Sequence, residues 1–237
     1  MHKIINSIWL KFFITAFLFK IACSKFGAGE NKGFFFYFGY GSNLLEERIH
    51  VQVKGATFVA IGALKGYRLA FVDFEEPNRW HSAAATIEQK QGSLVWGCIW
   101  KVPNSFADEL DKQETKYKRI DVTVYPRPST NERFNLNMQL LSNFVIKCRT
   151  YQYERPGMKY GLPSPQYKHV IVTGAEEHGL PTNYIQWLRQ NFEDNGYDGP
   201  VEVKLKALET MPKPTKKRKL SHKKEGEAES SNIALNH

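Results

Sequence analysis

Six short segments of the chain have the composition of β-strands, and clusters of glycine, proline and asparagine punctuate the chain between them. They are 57–61, 67–73, 83–88, 94–101, 119–125 and 143–151. Most are rich in β-branched and aromatic residues, which suit a pleated surface. Helical patterns are few by comparison. This pattern of many short strands and few helices predicts an α+β fold, with a mixed curled sheet or small β-barrel and flanking helices.

Three segments predict helices. The stretch 43–50 resembles a short helix. In 105–114, Ser105 is the expected N-cap and Asp108 stands three residues later, as in a capping box. Apolar residues in 183–192 recur at helical spacing and predict an amphipathic helix.

The charge of the chain is concentrated at its two ends. The net charge is +9, and residues 1–32 hold five lysines and one glutamate. Residues 213–224 hold seven basic residues and no acid, and 225–237 hold three glutamates. What remains, 33–212, is close to neutral. The basic balance is therefore no argument that the folded part binds nucleic acid or acidic substrates.

The N-terminus has the layout of a secretory signal. Lys3 precedes a mostly apolar stretch, and small residues follow at Ala22-Cys23-Ser24. Lys11 and Lys20 interrupt the apolar stretch and argue against a membrane-spanning helix. We therefore expect a secreted protein, with a signal anchor or an extended cytosolic N-terminus as alternatives. On the cytosolic alternative, the KKRK run at 216–219 is a candidate nuclear signal.

These features divide the chain into four parts. We expect a signal peptide at 1–24, a Gly-rich linker at 25–33, a folded domain at 34–205 and a basic, disordered tail at 206–237. Removal of the signal leaves Cys98 and Cys148, which either pair or are core residues. Two cysteines do not make a disulfide framework, and we favour the interpretation that both are core residues.

The stretch FFFYFGYGSNLLEERI, residues 34–49, combines an apolar run with a glycine-rich junction. Phe34 to Phe38 are too continuously apolar for a half-exposed strand and predict a buried one. Gly39 and Gly41 allow a turn with φ > 0 and close approach to a ligand. Asn43 is the expected helix cap, with Glu46 completing a capping box.

A strand–loop–helix junction of this kind directs backbone N–H groups outward, and the helix dipole adds partial positive charge there. The junction therefore suits an anion such as a carboxylate or a phosphate. An ordinary tight turn is the alternative. The stretch is not a phosphate loop, because it contains neither GxxxxGK(S/T) nor GxGxxG.

Glu114 is the candidate proton carrier. It lies near the C-terminal end of the predicted helix 105–114, four residues after Leu110, and can share its inward face. The negative end of the helix dipole and apolar surroundings would both raise the pKa of its carboxyl. The helix is rich in charge, however, so a solvent-facing acid is the alternative.

Other candidates are weaker. His50, His81 and His178 have no partners at metal-ligand spacing, so we expect no metal site. Ser42 lacks the GxSxG context of a hydrolase nucleophile. Tyr167, in the segment PSPQY, is held by two prolines and could donate from its phenol to a carboxylate. A buried loop tyrosine is the alternative.

Several motifs together resemble the γ-glutamylcyclotransferase family. Tyr40-Gly41-Ser42-Asn43-Leu44 is similar to its YGSNL signature, and 163–167 matches its PSPQY segment. The segments 80–87, 95–100, 148–151 and 174–181 continue the likeness, which covers about 35–200. Leu110 to Glu114 resembles the segment that holds the family's catalytic glutamate. Thr115 and the following KYKRIDV depart from the pattern and look more like the γ-glutamylamine branch.

The resemblance implies an enzyme that cyclises γ-glutamyl amino acids to 5-oxoproline and releases the free amino acid. Glu114 would be the general acid–base. The implied substrate-binding residues are Tyr37, Phe38, Gly39, Tyr40, Gly41, Ser42, Asn43 and Tyr167. No cofactor is expected, γ-glutamyl-α-amino acids should be favoured over glutathione, and the oligomeric state, including a homodimer, is left open.

Three alternatives remain open. One is a γ-glutamylamine cyclotransferase, and another is a secreted, catalytically weak binding or effector protein on the same fold. The third is a nucleic-acid binder that depends on the basic tail. Apart from the small-molecule γ-glutamyl substrate, that tail is the candidate contact for polyanions or membrane surfaces.

Overall fold

The computed structural model describes residues 33–74, 76–127 and 145–211. The expected signal peptide, nearly all of the linker and the tail from 212 onward lie outside these ranges. Within them, no helix has the length and hydrophobicity that crossing a membrane requires.

Five strands of the described residues form a closed barrel. They are β1 (Phe34–Gly39), β2 (Thr57–Val72), β3 (Ala84–Pro103), β4 (Lys118–Arg127) and β5 (Ile146–Gln152). Their order around the barrel is β1-β3-β2-β4-β5. Neighbours pair antiparallel except β1 and β5, which are parallel and meet at Tyr37 and Arg149. The α+β prediction with a small barrel is confirmed.

Two long strands replace four predicted short ones. The segments 57–61 and 67–73 are continuous in β2, and 83–88 and 94–101 are continuous in β3. Gly66 and Gly92 have φ values of 78° and 77°, so they stand where only glycine is comfortable. The pairing of β2 with β3 shifts register between Lys65 and Tyr67. These glycines therefore lie within the two strands instead of ending them, and the prediction of four separate strands was wrong.

The core fills the barrel and continues under the helices. Phe38 and Trp100 are fully buried, and Cys98 and Cys148 are buried free thiols, as the preference for core cysteines predicted. Thr150 on β5 donates its hydroxyl to the carbonyl of Phe38 at 2.8 Å. Phe34 to Phe36, at the start of β1, are only half-buried, so the prediction of a buried strand is confirmed for Tyr37 and Phe38 and was wrong for the first three residues.

Five α-helices of the described residues flank the barrel. They are α1 (Glu46–His50), α2 (Ala107–Gln113), α3 (Pro165–Glu177), α4 (Thr182–Gln190) and α5 (Lys206–Glu209). The predicted helices 43–50, 105–114 and 183–192 correspond to α1, α2 and α4. Ser105 is not the cap of α2. It lies in a 3-10 turn, Asn104–Phe106, that follows β3 directly, and α2 begins without a side-chain cap.

Residues beyond the predicted domain boundary at 205 are packed on the domain. The carboxylate of Glu47 on α1 accepts hydrogen bonds from the backbone N–H groups of Lys206 and Ala207, at 2.7 and 3.3 Å. The carbonyl of Ala207 is bound by the ring of His169 on α3 at 3.0 Å. The first turn of the expected tail is thus a short helix, α5, attached to α1 and α3.

Helix α3 packs on a second 3-10 turn, Ser42–Leu44, that follows β1. Gly174 makes this contact possible: a Cβ built there would lie 2.3 Å from the backbone nitrogen of Leu45 and 2.5 Å from the carbonyl carbon of Leu44. Both are backbone atoms, which cannot move aside cheaply. The glycine in α3 therefore sets how closely the helix approaches the turn.

Gly174→Ala should destabilise the protein, although alanine normally favours a helix over glycine by up to about 1 kcal/mol. We expect a loss of about 1–3 kcal/mol in the free energy of unfolding, because the added methyl overpacks the contact. Urea unfolding measures it. Gly33→Ala is the control, since a Cβ there meets nothing within 4 Å. A stabilised Gly174→Ala protein would contradict this packing.

Candidate active site

A cavity of about 290 Å³ opens at the end of β1, between the Ser42–Leu44 turn, the end of α2 and the start of α3. Its lining is mostly aromatic and polar. The lining residues are Tyr37, Tyr40, Gly41, Ser42, Asn43, Arg48, Phe74, Pro77, Asn78, Arg79, Trp80, Ala84, Ala85, Gln113, Glu114, Thr115, Lys116, Tyr117, Tyr151, Tyr167 and Glu202.

The glycine-rich junction lies at one side of this cavity. Gly41 is needed for close approach: a Cβ there would lie 3.2 Å from the phenol oxygen of Tyr167 and from Cβ of Ala85. A Cβ at Gly39 would lie 3.1 Å from the carbonyl of Asn43. Neither glycine has a positive φ. The expected left-handed turn is therefore wrong, and tight packing is the reason for both glycines.

Asn43 does not cap a helix, contrary to the prediction. It lies inside the 3-10 turn, α1 begins at Glu46 and Leu45 is its N-cap, without a side-chain cap. The predicted capping box of Asn43 and Glu46 is therefore absent. Asn43 instead turns its side chain into the cavity wall, where Nδ2 donates to the phenol oxygen of Tyr37 at 2.9 Å.

Glu114 stands at the C-terminal end of α2, as its C-cap, and faces the cavity. Its Oε1 accepts from Nε2 of Gln113 at 3.1 Å and, at a longer 3.4 Å, from Nδ2 of Asn43. Nε2 of Gln113 also donates to Oδ1 of Asn43 at 3.1 Å. Two side-chain amides thus hold one oxygen of the carboxyl, and no hydrogen bond within the described ranges uses Oε2.

Burial raises the pKa of Glu114 from the usual 4.5 to about 7. The positive charge of Arg48, the hydrogen bond from Gln113 and the charge of Arg79 act in the opposite direction and limit the rise in pKa. Desolvation disfavours the ionised form, while nearby cations favour it. The carboxyl can therefore take up and release a proton near neutral pH, as expected from the sequence.

Tyr167 reaches the cavity from the first turn of α3, not from a loop. The hydroxyl of Ser164 caps this helix by accepting from the N–H of Tyr167 at 3.2 Å, and Pro165 occupies the first turn. The phenol oxygen of Tyr167 accepts from the N–H of Ala85 at 3.2 Å. Burial raises the pKa of Tyr167 to about 12, so the phenol keeps its proton as a donor.

The structure brings together seven of the nine predicted site residues. Glu114, Tyr37, Tyr40, Gly41, Ser42, Asn43 and Tyr167 all line the cavity. Phe38 and Gly39 do not: Phe38 points into the barrel core, because it alternates with Tyr37 along β1, and Gly39 packs against Asn43. Phe38 and Gly39 were predicted to contact the substrate, but they instead support the residues that line the cavity.

Sequence reasoning missed four residues of the lining that bear on its chemistry: Arg48, Arg79, Gln113 and Tyr117. Gln113 directly precedes Glu114, and Tyr117 donates its phenol to the carbonyl of Ala85 at 2.9 Å. Arg48 is only 2% exposed although it stands in a short, charged helix. The pattern EERIH carries no signal that one of its charges is buried.

The histidines lie elsewhere. His178 is fully buried and packs its ring against Phe58 and Trp100, with centroids 4.4 and 5.1 Å apart. His50 bonds to the carbonyl of Ala56 at 2.8 Å, and His81 stacks on Tyr197. Across the described ranges, no three residues of the types His, Cys, Asp and Glu come together as a metal site.

A ligand-sized cavity with a carboxyl of raised pKa and several protonated phenols is typical of an enzyme that acts on a small molecule. Comparison with known proteins agrees with this class. A family model described as "AIG2-like family" matches residues 94–188.

Among curated proteins, the Mus musculus "Gamma-glutamylcyclotransferase" is 37% identical over 186 residues, which cover 76% of this chain and 90% of the relative. The Bos taurus protein of the same name is 40% identical over 183 residues, covering 73% and 87%. A solved structure titled "Gamma-glutamyl cyclotransferase" is 35% identical with a TM-score of 0.62, and the match covers 74% of this chain and 96% of that one. The chain belongs to the γ-glutamylcyclotransferase family.

The raised pKa of Glu114 makes stability depend on pH. Between pH 4.5 and 7 the folded protein holds a proton that the unfolded chain has lost, so stability falls as pH rises through this window. Glu114→Gln removes this penalty and should be more stable than the wild type above pH 7, by on the order of 1–3 kcal/mol.

Carbon-13 NMR titration of the Glu114 carboxyl gives the pKa directly, and urea unfolding at several pH values gives the stability. Glu109→Gln is the control, because Glu109 is exposed on the same helix. A Glu114 titration midpoint near 4.5, with parallel pH–stability curves for all three proteins, would refute the raised pKa.

Proposed function

We propose that this cavity cyclises γ-glutamyl amino acids to 5-oxoproline and releases the free amino acid, with Glu114 as the single general acid–base. The observation that carries the proposal is the Glu114 carboxyl, which has a pKa near 7 and faces a ligand-sized cavity. The family to which the chain belongs supports the substrate class.

The substrate α-ammonium must lose one proton before its nitrogen attacks the γ-carbonyl carbon. A new C–N bond then closes the five-membered lactam, whose nitrogen loses a second proton. The original amide C–N bond breaks as the leaving nitrogen gains one proton. One carboxyl with a pKa near 7 can accept the first proton and deliver it to the leaving nitrogen, while the second proton of the lactam nitrogen is lost to water.

The hydrogen bonds around Glu114 suit this double role. Gln113 and Asn43 hold Oε1, whereas Oε2 has no hydrogen bond to the described residues. Oε2 is therefore the oxygen that would exchange protons with the substrate. The fixed Oε1 keeps the carboxyl oriented while the proton passes through Oε2, so no reorganisation of the site is needed between the two transfers.

Developing negative charge on the carbonyl oxygen calls for hydrogen-bond donors at the glycine-rich junction. The first N–H groups of a 3-10 turn have no partner within the turn. No hydrogen bond within the described ranges uses the N–H groups of Ser42 and Asn43. Tyr167 adds a phenol proton beside them, since its oxygen already accepts from Ala85. These donors would bind the oxyanion or the substrate α-carboxylate.

The substrate carries its own nucleophile, which explains why the cavity needs so few groups. A well-oriented intramolecular attack can reach effective molarities of about 10⁵–10⁸ M. The enzyme gains this advantage by holding the glutamyl chain folded back on itself. No covalent intermediate is required, and Ser42 need not act as a nucleophile.

Glu114→Gln should lower kcat for γ-glutamyl-alanine by about 10²–10⁴-fold, because it keeps the size of the side chain and removes the proton carrier. Release of 5-oxoproline by the purified protein measures this. Glu109→Gln on the same helix is the matched control and should retain the wild-type rate. If Glu114→Gln kept most of the wild-type activity, Glu114 would not be the acid–base.

A further inference from the structure

Arg48 is a cation in a buried position with no carboxylate from the described part of the chain in direct contact. The residue is 2% exposed and stands in the short helix α1, yet it lines the cavity beside Glu114. No carboxylate of the described residues lies within 4.0 Å of its guanidinium. Buried charges are normally paired, because removing an ion from water is costly.

The hydrogen-bond partners of Arg48 are two uncharged glutamine side chains, and both contact the same nitrogen, Nη1. Nη1 donates to Oε1 of Gln52 at 2.6 Å and makes a long, weak contact of 3.5 Å with Oε1 of Gln113. Nε is buried with no hydrogen-bond partner. Within the described ranges, no hydrogen bond starts from Nη2 either. The two nitrogens without a hydrogen-bond partner among the described residues, Nε and Nη2, thus lie on one edge of the guanidinium.

That edge is the one that binds a carboxylate in a bidentate fashion. Nε–H and one N–H of Nη2 point in parallel, at the spacing of two carboxylate oxygens. A phosphate would also fit such an edge, but the proposed substrate has none. The glutamyl head of a γ-glutamyl amino acid has an α-carboxylate on the carbon that bears the attacking amine.

We infer that Arg48 binds the α-carboxylate of the glutamyl head through its Nε–Nη2 edge. This inference rests on the proposed function and adds a specificity residue to it. The α-amine must come within reach of Glu114, so the α-carboxylate on the same carbon must lie near Glu114 as well. Arg48 meets this condition, since only the side chain of Gln113 separates it from the Glu114 carboxyl.

The other cations of the cavity fit this position less well. Arg79 and Lys116 are both exposed, and Lys116 pairs with Glu76 at 3.4 Å. A carboxylate on the leaving amino acid, which extends toward solvent, is the more suitable partner for such residues. If Arg48 binds the α-carboxylate, the N–H groups of Ser42 and Asn43 are left to donate to the oxygen of the substrate γ-carbonyl.

The test removes the cation and the carboxylate separately and together. The substrates are γ-glutamyl-alanine and 4-aminobutyryl-alanine, which is the same molecule without the α-carboxylate and cyclises to 2-pyrrolidinone. The proteins are the wild type, Arg48→Met and the control Arg79→Met. We expect Arg48→Met to lower kcat/KM for γ-glutamyl-alanine by about 10- to 100-fold. Loss of Arg48 also raises the pKa of Glu114, which affects both substrates alike. The loss of kcat/KM for 4-aminobutyryl-alanine should therefore be about tenfold smaller than the loss for γ-glutamyl-alanine.

Arg79→Met should not show this selectivity between the two substrates. If turnover of 4-aminobutyryl-alanine is too slow, its inhibition constant replaces kcat/KM. If Arg48→Met fails to fold by circular dichroism, Arg48→Lys takes its place, because lysine keeps the charge and loses the two-donor edge. We then expect the same selectivity at about tenfold.

The two hypotheses fail in different ways. Equal losses for both substrates in the Arg48 variant would overturn the inference and leave the proposed function intact. A wild-type protein that releases no 5-oxoproline from γ-glutamyl-alanine would overturn the proposed function, and the role of Arg48 with it.

Discussion

The site depends on how Asn43 is held between the barrel and α2. The indole Nε1 of Trp100, on β3, donates to its backbone carbonyl at 3.0 Å. Its side chain donates to Tyr37 on β1 and accepts from Gln113 at the end of α2. The same residue therefore ties the glycine-rich junction to two strands and to the segment that carries Glu114, so the carboxyl and the donor groups keep a fixed separation.

Within this frame, two opposing electrostatic effects determine what Glu114 can do. Burial alone would keep the carboxyl protonated, and a protonated acid cannot accept a proton from the substrate ammonium. Arg48 and Gln113 favour the ionised form and bring the pKa back to about 7. If the substrate α-carboxylate neutralises Arg48 on binding, the basicity of Glu114 would rise when a proton has to be removed.

Much of this account could be predicted from the sequence, because local patterns carry it. The composition of short segments and the residues that punctuate them indicated most of the strands. The position of Glu114 four residues after Leu110 indicated that its carboxyl could share the inward face of a helix, and burial there raises its pKa. The rest depends on contacts between distant segments. Gly66 and Gly92 were predicted as breaks, but the residues around them stay paired across β2 and β3, Lys65 with Leu94 and Tyr67 with Gln89, so both strands are continuous. Burial of Arg48 and the inward turn of Asn43 follow from packing between α1, α2 and the barrel, which no local pattern shows.

The central claim is that the substrate amine, and not water or a second amine, attacks the γ-carbonyl. A product balance with γ-glutamyl-alanine tests it most directly, with 5-oxoproline, alanine, glutamate and γ-glutamyl transfer products measured by mass spectrometry in the presence of added glycine. The account predicts equimolar 5-oxoproline and alanine, with neither glutamate nor γ-glutamyl-glycine above the rate without protein. Glutamate as the main product, or γ-glutamyl-glycine, would contradict it, since the attacking group would then be water or a second amine.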